Sequence, residues 1–476
     1  MFGRHRQLLI FIAGLIAVTG LIVALLLPSL ISALPGQVRV RLPEEVIRAV
    51  TTPLPTALPA PMQTAVATPL PVAQLLSSAA EANTAVPTEI AATPTEEAAG
   101  TAPAKASPRA ALSAQETAVI TLTSTSTPLP APTASPTVTN TPPATATPRP
   151  IPLPASVRIT GLTIVPQKFN NCGSANLSVV LDYYGEPDTQ IDIAQRIKPH
   201  YDDRNVSPEE LVAYVNEETD LQAAVYRGGS IDLLRQLIQA GFPVIIEKGY
   251  EPDAWQGWMG HYLTLIGYDD RQETFTSLDT YLGPWDSSGR PASYDEVSFR
   301  WAQFNNTFLV VYRPFDQDRV NKILGPAYLQ PAQMWQNAAA AAEVAAAEQP
   351  DDAFAWFNLG AGLTELAKLN DDKALYSAAA TAFDQSRLVG LPPRMMWYQF
   401  QPYEAYIHSD RIDEALALAA AVMQSDGGWH VEESHYYQGL AYQAMGDLDL
   451  ARSAYKRALD IKPGYKEAQT ALEKLN

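Results

Sequence analysis

Cysteine is nearly absent from this chain: one residue, Cys172, in 476. That excludes an intrachain disulfide framework and any zinc site built on a cysteine cluster. Histidine is almost as scarce, at His5, His200, His261, His408, His430 and His435, and no helix pattern pairs two of them as metal ligands. No metal and no cofactor is therefore expected. Basic residues are outnumbered, 33 Lys and Arg against 51 Asp and Glu, for a net charge of −18. Without a basic stripe to neutralise phosphates, no nucleic-acid partner is expected.

Two local absences divide the chain. No charged residue occurs from Gln7 to Leu27, and Arg4 and Arg6 stand just before. The apolar stretch 8–27 is about long enough to cross a bilayer core as a helix, and longer than the apolar part of a typical secretory signal. Residues 8–34 thus read as an uncleaved, single-pass transmembrane signal anchor in the cell membrane. No aromatic residue occurs between Phe11 and Phe169, and residues 51–155 are rich in Pro, Thr, Ala and Ser. Such a segment cannot bury enough apolar surface to offset its ordering entropy, so it reads as a disordered, partly extended linker. Stalks of this composition hold domains away from a membrane, which places the rest of the chain on the extracytoplasmic side.

Residues 156–315 have a different character: aromatics return and short apolar runs appear. A first strand is expected in 157–165. Leu177, Val180, Leu181 and Tyr184 have helical spacing, closed by Gly185. Ser207-Pro208-Glu209-Glu210 opens a second helix running to about Glu217, and Gly229-Ser230 a third that ends at Gly241. Strands follow at 242–247, 262–268, 274–279 and 307–312, with Asp269-Asp270-Arg271 as a turn. Helices first and an antiparallel sheet second make an α+β domain. Residues 325–476 read as an all-α solenoid. Gly439, Tyr442, Gly446, Ala451, Tyr455, Ala458 and Pro463 have tetratricopeptide-repeat (TPR) spacing, within a period of about 34 residues. Trp356, Leu359, Gly360, Leu363, Phe383 and Pro392 mark an earlier unit, and 403–419 a degenerate one. The concave face of such repeats takes a peptide or protein partner.

A lone cysteine is most often a small buried hydrophobe. Cys172 differs in its placement. It opens the helix that follows, where unpaired N–H groups and the helix dipole favour a thiolate. Gln167, just upstream, can aim an amide at the same point, a layout suited to acyl transfer. His261 begins the 262–268 strand and is the candidate general base; His200, in a polar loop, is its rival. Asp279 ends the neighbouring strand, where a carboxylate can orient an imidazole. Trp255, Trp258 and Trp285 flank these residues, equally as groove lining or as loop anchors.

The segment from Gln167 through Cys172-Gly173 to Tyr183-Tyr184-Gly185, then Gly260-His261-Tyr262, Gly267-Tyr268 and Asp279, resembles the bacteriocin-processing (double-glycine) cysteine peptidases of the papain-like group. The resemblance spans about residues 160–313. It implies a papain-like fold, Cys172 as nucleophile, His261 as base, Asp279 as orienting acid, and Gln167 with the Cys172 N–H as oxyanion hole. Family members usually carry Pro after the Asp; Thr280 stands there in this chain. No phosphate-binding glycine loop occurs, so coupled peptide export is not implied. The expectation is a membrane-anchored thiol peptidase acting on a peptide or protein substrate, with TPR repeats recruiting substrate or partner. An inactive peptidase-fold adaptor, or an amidase or acyltransferase on the same scaffold, are the alternatives.

Overall fold

The computed structural model describes residues 57–62, 74, 153–200, 202–251, 257–425 and 427–475. The expected anchor at 8–34 and nearly all of the 51–155 linker lie outside the described residues, as does Trp255. Among the described residues no helix is long and apolar enough to cross a membrane.

The first folded part is a seven-stranded antiparallel sheet with helices on both faces. Its elements in chain order are β1 (Ser156–Arg158), α1 (Cys172–Tyr184), α2 (Gln190–Ile197), α3 (Pro208–Glu218), β2 (Gln222–Tyr226), α4 (Ile231–Gln239), β3 (Val244–Tyr250), β4 (Met259–Asp269), β5 (Thr274–Leu278), β6 (Arg290–Ser293), α5 (Tyr294–Ala302) and β7 (Phe308–Tyr312). The strand order is β2-β7-β3-β4-β5-β6, with β1 paired to the far end of β4. Because both faces are covered, the central strands read as unbroken apolar runs rather than alternating ones. Ile245, Leu309 and Val311 turn toward α1, α2 and α3. Their neighbours Val244, Ile246, Phe308 and Val310 turn toward α4 and α5, around Leu234, Leu237 and Trp301.

The helix starts follow local chemistry. Ser207 caps α3 and Glu210 bonds back to the Ser207 N–H at 2.8 Å, with Pro208 in the first turn. Gly185, at φ 91°, ends α1 in a left-handed conformation that a side chain would strain. Several features depart from the expectation. The first strand stops at Arg158, and residues 162–165 belong to no strand, though Leu162 and Ile164 are buried. Helices α2 and α5 and strands β2 and β6 were not anticipated, so helices and strands interleave rather than succeed each other.

The second part is helical: α6 (Gln317–Leu324), α7 (Pro326–Leu329), α8 (Pro331–Glu348), α9 (Ala353–Asn370), α10 (Lys373–Leu388), α11 (Gln401–His408), α12 (Ile412–Gln424), α13 (Glu432–Met445), α14 (Leu448–Ile461) and α15 (Lys466–Lys474). Small residues set the closest approaches. A Cβ at Gly439 would lie 2.4 Å from the Tyr455 ring between α13 and α14, and one at Gly360 would lie 2.7 Å from Phe383 between α9 and α10.

The helices clasp the sheet at two places. Near the start of the array, Trp258 stacks between Phe304 and Phe354, and Asn358 Nδ2 donates to the Ala302 carbonyl at 2.6 Å. Near its end, Lys462 pairs with Glu210 of α3 and with Glu432. A fragment of the segment expected to be a linker also belongs to this fold. Residues 57–62 lie on the helices with Leu58 buried among them, so the linker is not free of packing throughout as expected.

Candidate active site

Three of the expected residues meet where the start of α1 reaches β4. Cys172 is the first residue of α1 and is partly exposed. A Cβ at Gly173 would already touch the Tyr262 ring at 3.3 Å, so glycine is what lets the helix start press onto β4. His261 stands in β4, buried, and close enough to Cys172 for each group to shift the other's ionisation. Its Nε2 lies 3.2 Å from Asp279 Oδ1, which leaves Nδ1 available to Cys172. Asp279 follows β5 by one residue. Its Oδ1 also accepts the N–H groups of Tyr281 and Leu282, each at 2.9 Å.

The electrostatics are those of a coupled charge chain. Withdrawal from water raises the Cys172 thiol, but the His261 hydrogen bond and charge, the Tyr262 main chain and the Lys198 ammonium outweigh it, and its pKa ends below the ordinary value. For His261, burial opposes the imidazolium while Asp279 and Cys172 favour it, and its pKa rises to about 9. Burial likewise raises Asp279, but His261 and the two backbone donors hold it down at about 2. The Cys172 and His261 shifts both move the pair toward a thiolate beside an imidazolium.

Gln167 is positioned through a residue that the sequence left unassigned. The Thr280 hydroxyl donates to Gln167 Oε1 at 3.0 Å, and the Gln167 N–H donates to the Thr280 carbonyl at 2.8 Å. With Oε1 held, the NH2 end of the amide is left to donate. Asn176 ties these parts together. Its Nδ2 reaches the Cys172 carbonyl at 2.9 Å, the Tyr262 carbonyl at 2.9 Å and Thr280 Oγ1 at 3.1 Å, while its Oδ1 accepts from Thr264 at 2.7 Å. One fully buried amide thereby joins α1, β4 and the Asp279 loop. Asn176 lies four residues after Cys172 and so on the same helix face, a signal present in the sequence. Thr280 gave only a negative one, the missing Pro.

The surroundings complete the site. Gln190 anchors the approach to Cys172 through the Lys168 N–H, Asn171 Nδ2 and the Pro166 carbonyl, at 2.8 to 3.0 Å. Lys198, buried, bonds to the Asn170 carbonyl at 2.6 Å. Tyr250 and Tyr281 bracket His261, with ring centroids 5.4 and 6.2 Å away. The helical part adds a wall: a Cβ at Gly260 would lie 2.9 Å from the Tyr398 ring, and the Cys172 charge bears on the Tyr398 hydroxyl. Trp258 is an anchor between the two parts, and Trp285 is exposed, covering Gly283. His200 stacks near His430, away from this cluster. A cleft of about 700 Å3 opens alongside between α3 and the helical array; Glu247, Tyr398 and Tyr437 line it, but neither Cys172 nor His261 does.

No curated protein matches the chain. Solved structures similar to part of it include a C39-like peptidase from Bacillus anthracis (19% identity, 33% of this chain and 98% of that one, TM-score 0.27). Another is a double glycine motif protease from an AMS/PCAT transporter, in complex with its leader peptide (18% identity, 33% and 94%, TM-score 0.25). A third is the peptidase domain of Streptococcus ComA, a bifunctional ABC transporter of a quorum sensing pathway (14% identity, 32% and 99%, TM-score 0.26). The family model that matches is that of the Peptidase_C39 like family, over residues 159–310.

Proposed function

We propose that this chain is a thiol peptidase in which Cys172 attacks a peptide carbonyl. The observation that carries the reading is the meeting of Cys172, His261 and Asp279, with His261 acting on the thiol's ionisation and its Nε2 3.2 Å from a carboxylate. In this mechanism the Cys172 thiolate adds to the carbonyl carbon. The oxyanion is held by the Cys172 N–H at the helix start and by the Gln167 amide. His261 gives its proton to the departing amine, leaving a thioester. It then takes a proton from water as water adds, and the acid product leaves with the thiolate restored. Asp279 keeps the imidazole oriented throughout and stabilises its cationic form.

The helical part acts as TPR repeats that bring a peptide or protein to the adjoining cleft, and the apolar stretch 8–27 anchors the chain in a membrane with both folded parts outside the cytoplasm. Cys172→Ala abolishes hydrolysis of a peptide library and leaves the circular dichroism spectrum unchanged. Hydrolysis persisting in that variant removes the scheme. Trapping the acyl group on Cys172 distinguishes peptidase from amidase or acyltransferase chemistry, since only a peptidase carries a peptide acyl group and passes it to water.

A further inference from the structure

Residues 57–62, Ala-Leu-Pro-Ala-Pro-Met, rest on the helical part in a site with features of a receptor. Leu58 and Pro61 are buried while Pro59 and Ala60 between them are exposed. That three-residue spacing is the repeat of a polyproline II strand, which has three residues per turn. Two prolines remove two of the backbone donors, so carbonyl oxygens are the main handles such a peptide offers. The site answers with donors. Arg387 of α10 gives Nε to the Pro59 carbonyl at 3.0 Å and Nη2 to the Ala60 carbonyl at 3.4 Å. Two of the four remaining donors are met as well: the Leu58 N–H goes to the Leu391 carbonyl at 2.8 Å and the Met62 N–H to Glu414 Oε2 at 2.9 Å.

The two charged readers are themselves fixed. Arg387 is 4% exposed and Glu414 2%, paired at 2.5 Å, and Tyr406 adds its hydroxyl to Arg387 at 3.2 Å. A neutral, pre-formed ion pair that spends its outward polar atoms on peptide main chain suits an uncharged, proline-bearing ligand.

The tetrapeptide seated here, Leu58-Pro59-Ala60-Pro61, recurs once in the chain as Leu129-Pro130-Ala131-Pro132. We propose that α10, α12 and Leu391 form a receptor for a Leu-Pro-Ala-Pro peptide, filled by residues 57–62 and open to the second copy at 129–132 in exchange. With the anchor proposed above, the occupant sets the reach of the folded parts. Seating the first copy leaves 28–56 as the free tether, and seating the second leaves 28–128. At full extension these span roughly 100 Å and roughly 340 Å.

Hydrogen exchange of the full-length chain in detergent, read by mass spectrometry, tests this. In the wild type the Leu58 and Met62 amides exchange at least about tenfold slower than in the free hexapeptide, and residues 129–133 exchange at the free rate. In Leu58→Asp, protection leaves 57–62 and appears at 129–133. With Leu58→Asp and Leu129→Asp together it appears at neither, and a fluorescein-labelled Ala-Leu-Pro-Ala-Pro-Met peptide binds saturably where the scrambled Ala-Pro-Leu-Pro-Ala-Met does not. Unchanged exchange in α10 and α12 shows that the receptor stays folded in each variant. Free-rate exchange at 57–62 in the wild type, no transfer of protection to 129–133, or no peptide binding by the folded double variant overturns the proposal.

Discussion

At the scale of single residues, the account rests on a few buried polar groups that fix each other. Thr280 decides where the Gln167 amide points. Thr280→Val removes that hydroxyl at nearly constant volume and leaves the buried Asn176 amide and the half-buried Gln167 amide each short of a partner. The expected result is a kcat loss of about tenfold or more, approaching the roughly 10²–10³ of losing an oxyanion donor outright, with KM little changed. Thr280→Ser restores most of the rate; equal losses in both variants contradict the positioning role. The charge chain also shapes stability. His261, raised to about 9 from near 6.5, contributes stability that is full below the lower value and lost as pH climbs through the upper one. Asp279, lowered to about 2, contributes stability present above the ordinary carboxylate range and lost as pH falls toward 2. The gap in melting temperature between wild type and His261→Ala therefore narrows between pH 7 and pH 10. A constant gap argues against the raised imidazolium. The three residues that meet at the site were legible because Cys172 is alone and His261 and Asp279 stand at the ends of readable strands. Asn176 and Lys198 were not singled out, since a polar residue inside an apolar helix or a polar loop announces no partner until the chain is folded.

At the scale of elements, caps and close approaches carry the argument. The Ser207 cap was legible from four residues and forms with both reciprocal bonds. Ser207→Ala costs about 1 kcal/mol in denaturant unfolding. The same Thr-x-x-Asp pattern at Thr189 opens α2, and its bonds form too; that helix was missed because only eight residues follow before Lys198 ends it. Strand β2 was missed because Gln222-Ala223-Ala224-Val225-Tyr226 has weak apolar alternation and takes its place from pairing with β7. Gly439→Ala forces a methyl group to within 2.4 Å of the Tyr455 ring. It costs about 1–3 kcal/mol, and a variant as stable as the wild type contradicts the close packing of α13 on α14.

At the scale of the molecule, the sequence divides the chain into parts but carries no local signal for how they meet. Helical periodicity and small-residue spacing announce the C-terminal array. They do not announce that Tyr398 packs on Gly260 beside His261, or that Trp258 is shared between the two parts. Such contacts join residues about a hundred positions apart or more, and no short window of sequence contains both. Trp258→Ala empties the shared site and costs about 3–5 kcal/mol. Calorimetry then shows two separated transitions where the wild type shows one; a single unshifted transition argues that the two parts are not joined through this residue.

The central claim is a working thiolate–imidazolium pair, and alkylation of Cys172 as a function of pH, with and without His261→Ala, tests it most directly. The chain has one cysteine, so every modification reports on that residue. Fast labelling that persists well below the free-thiol pKa of about 8.5, and that collapses to an ordinary thiol profile in His261→Ala, is the result the account predicts. Slow labelling that rises only near pH 8.5 and is indifferent to His261 would contradict it.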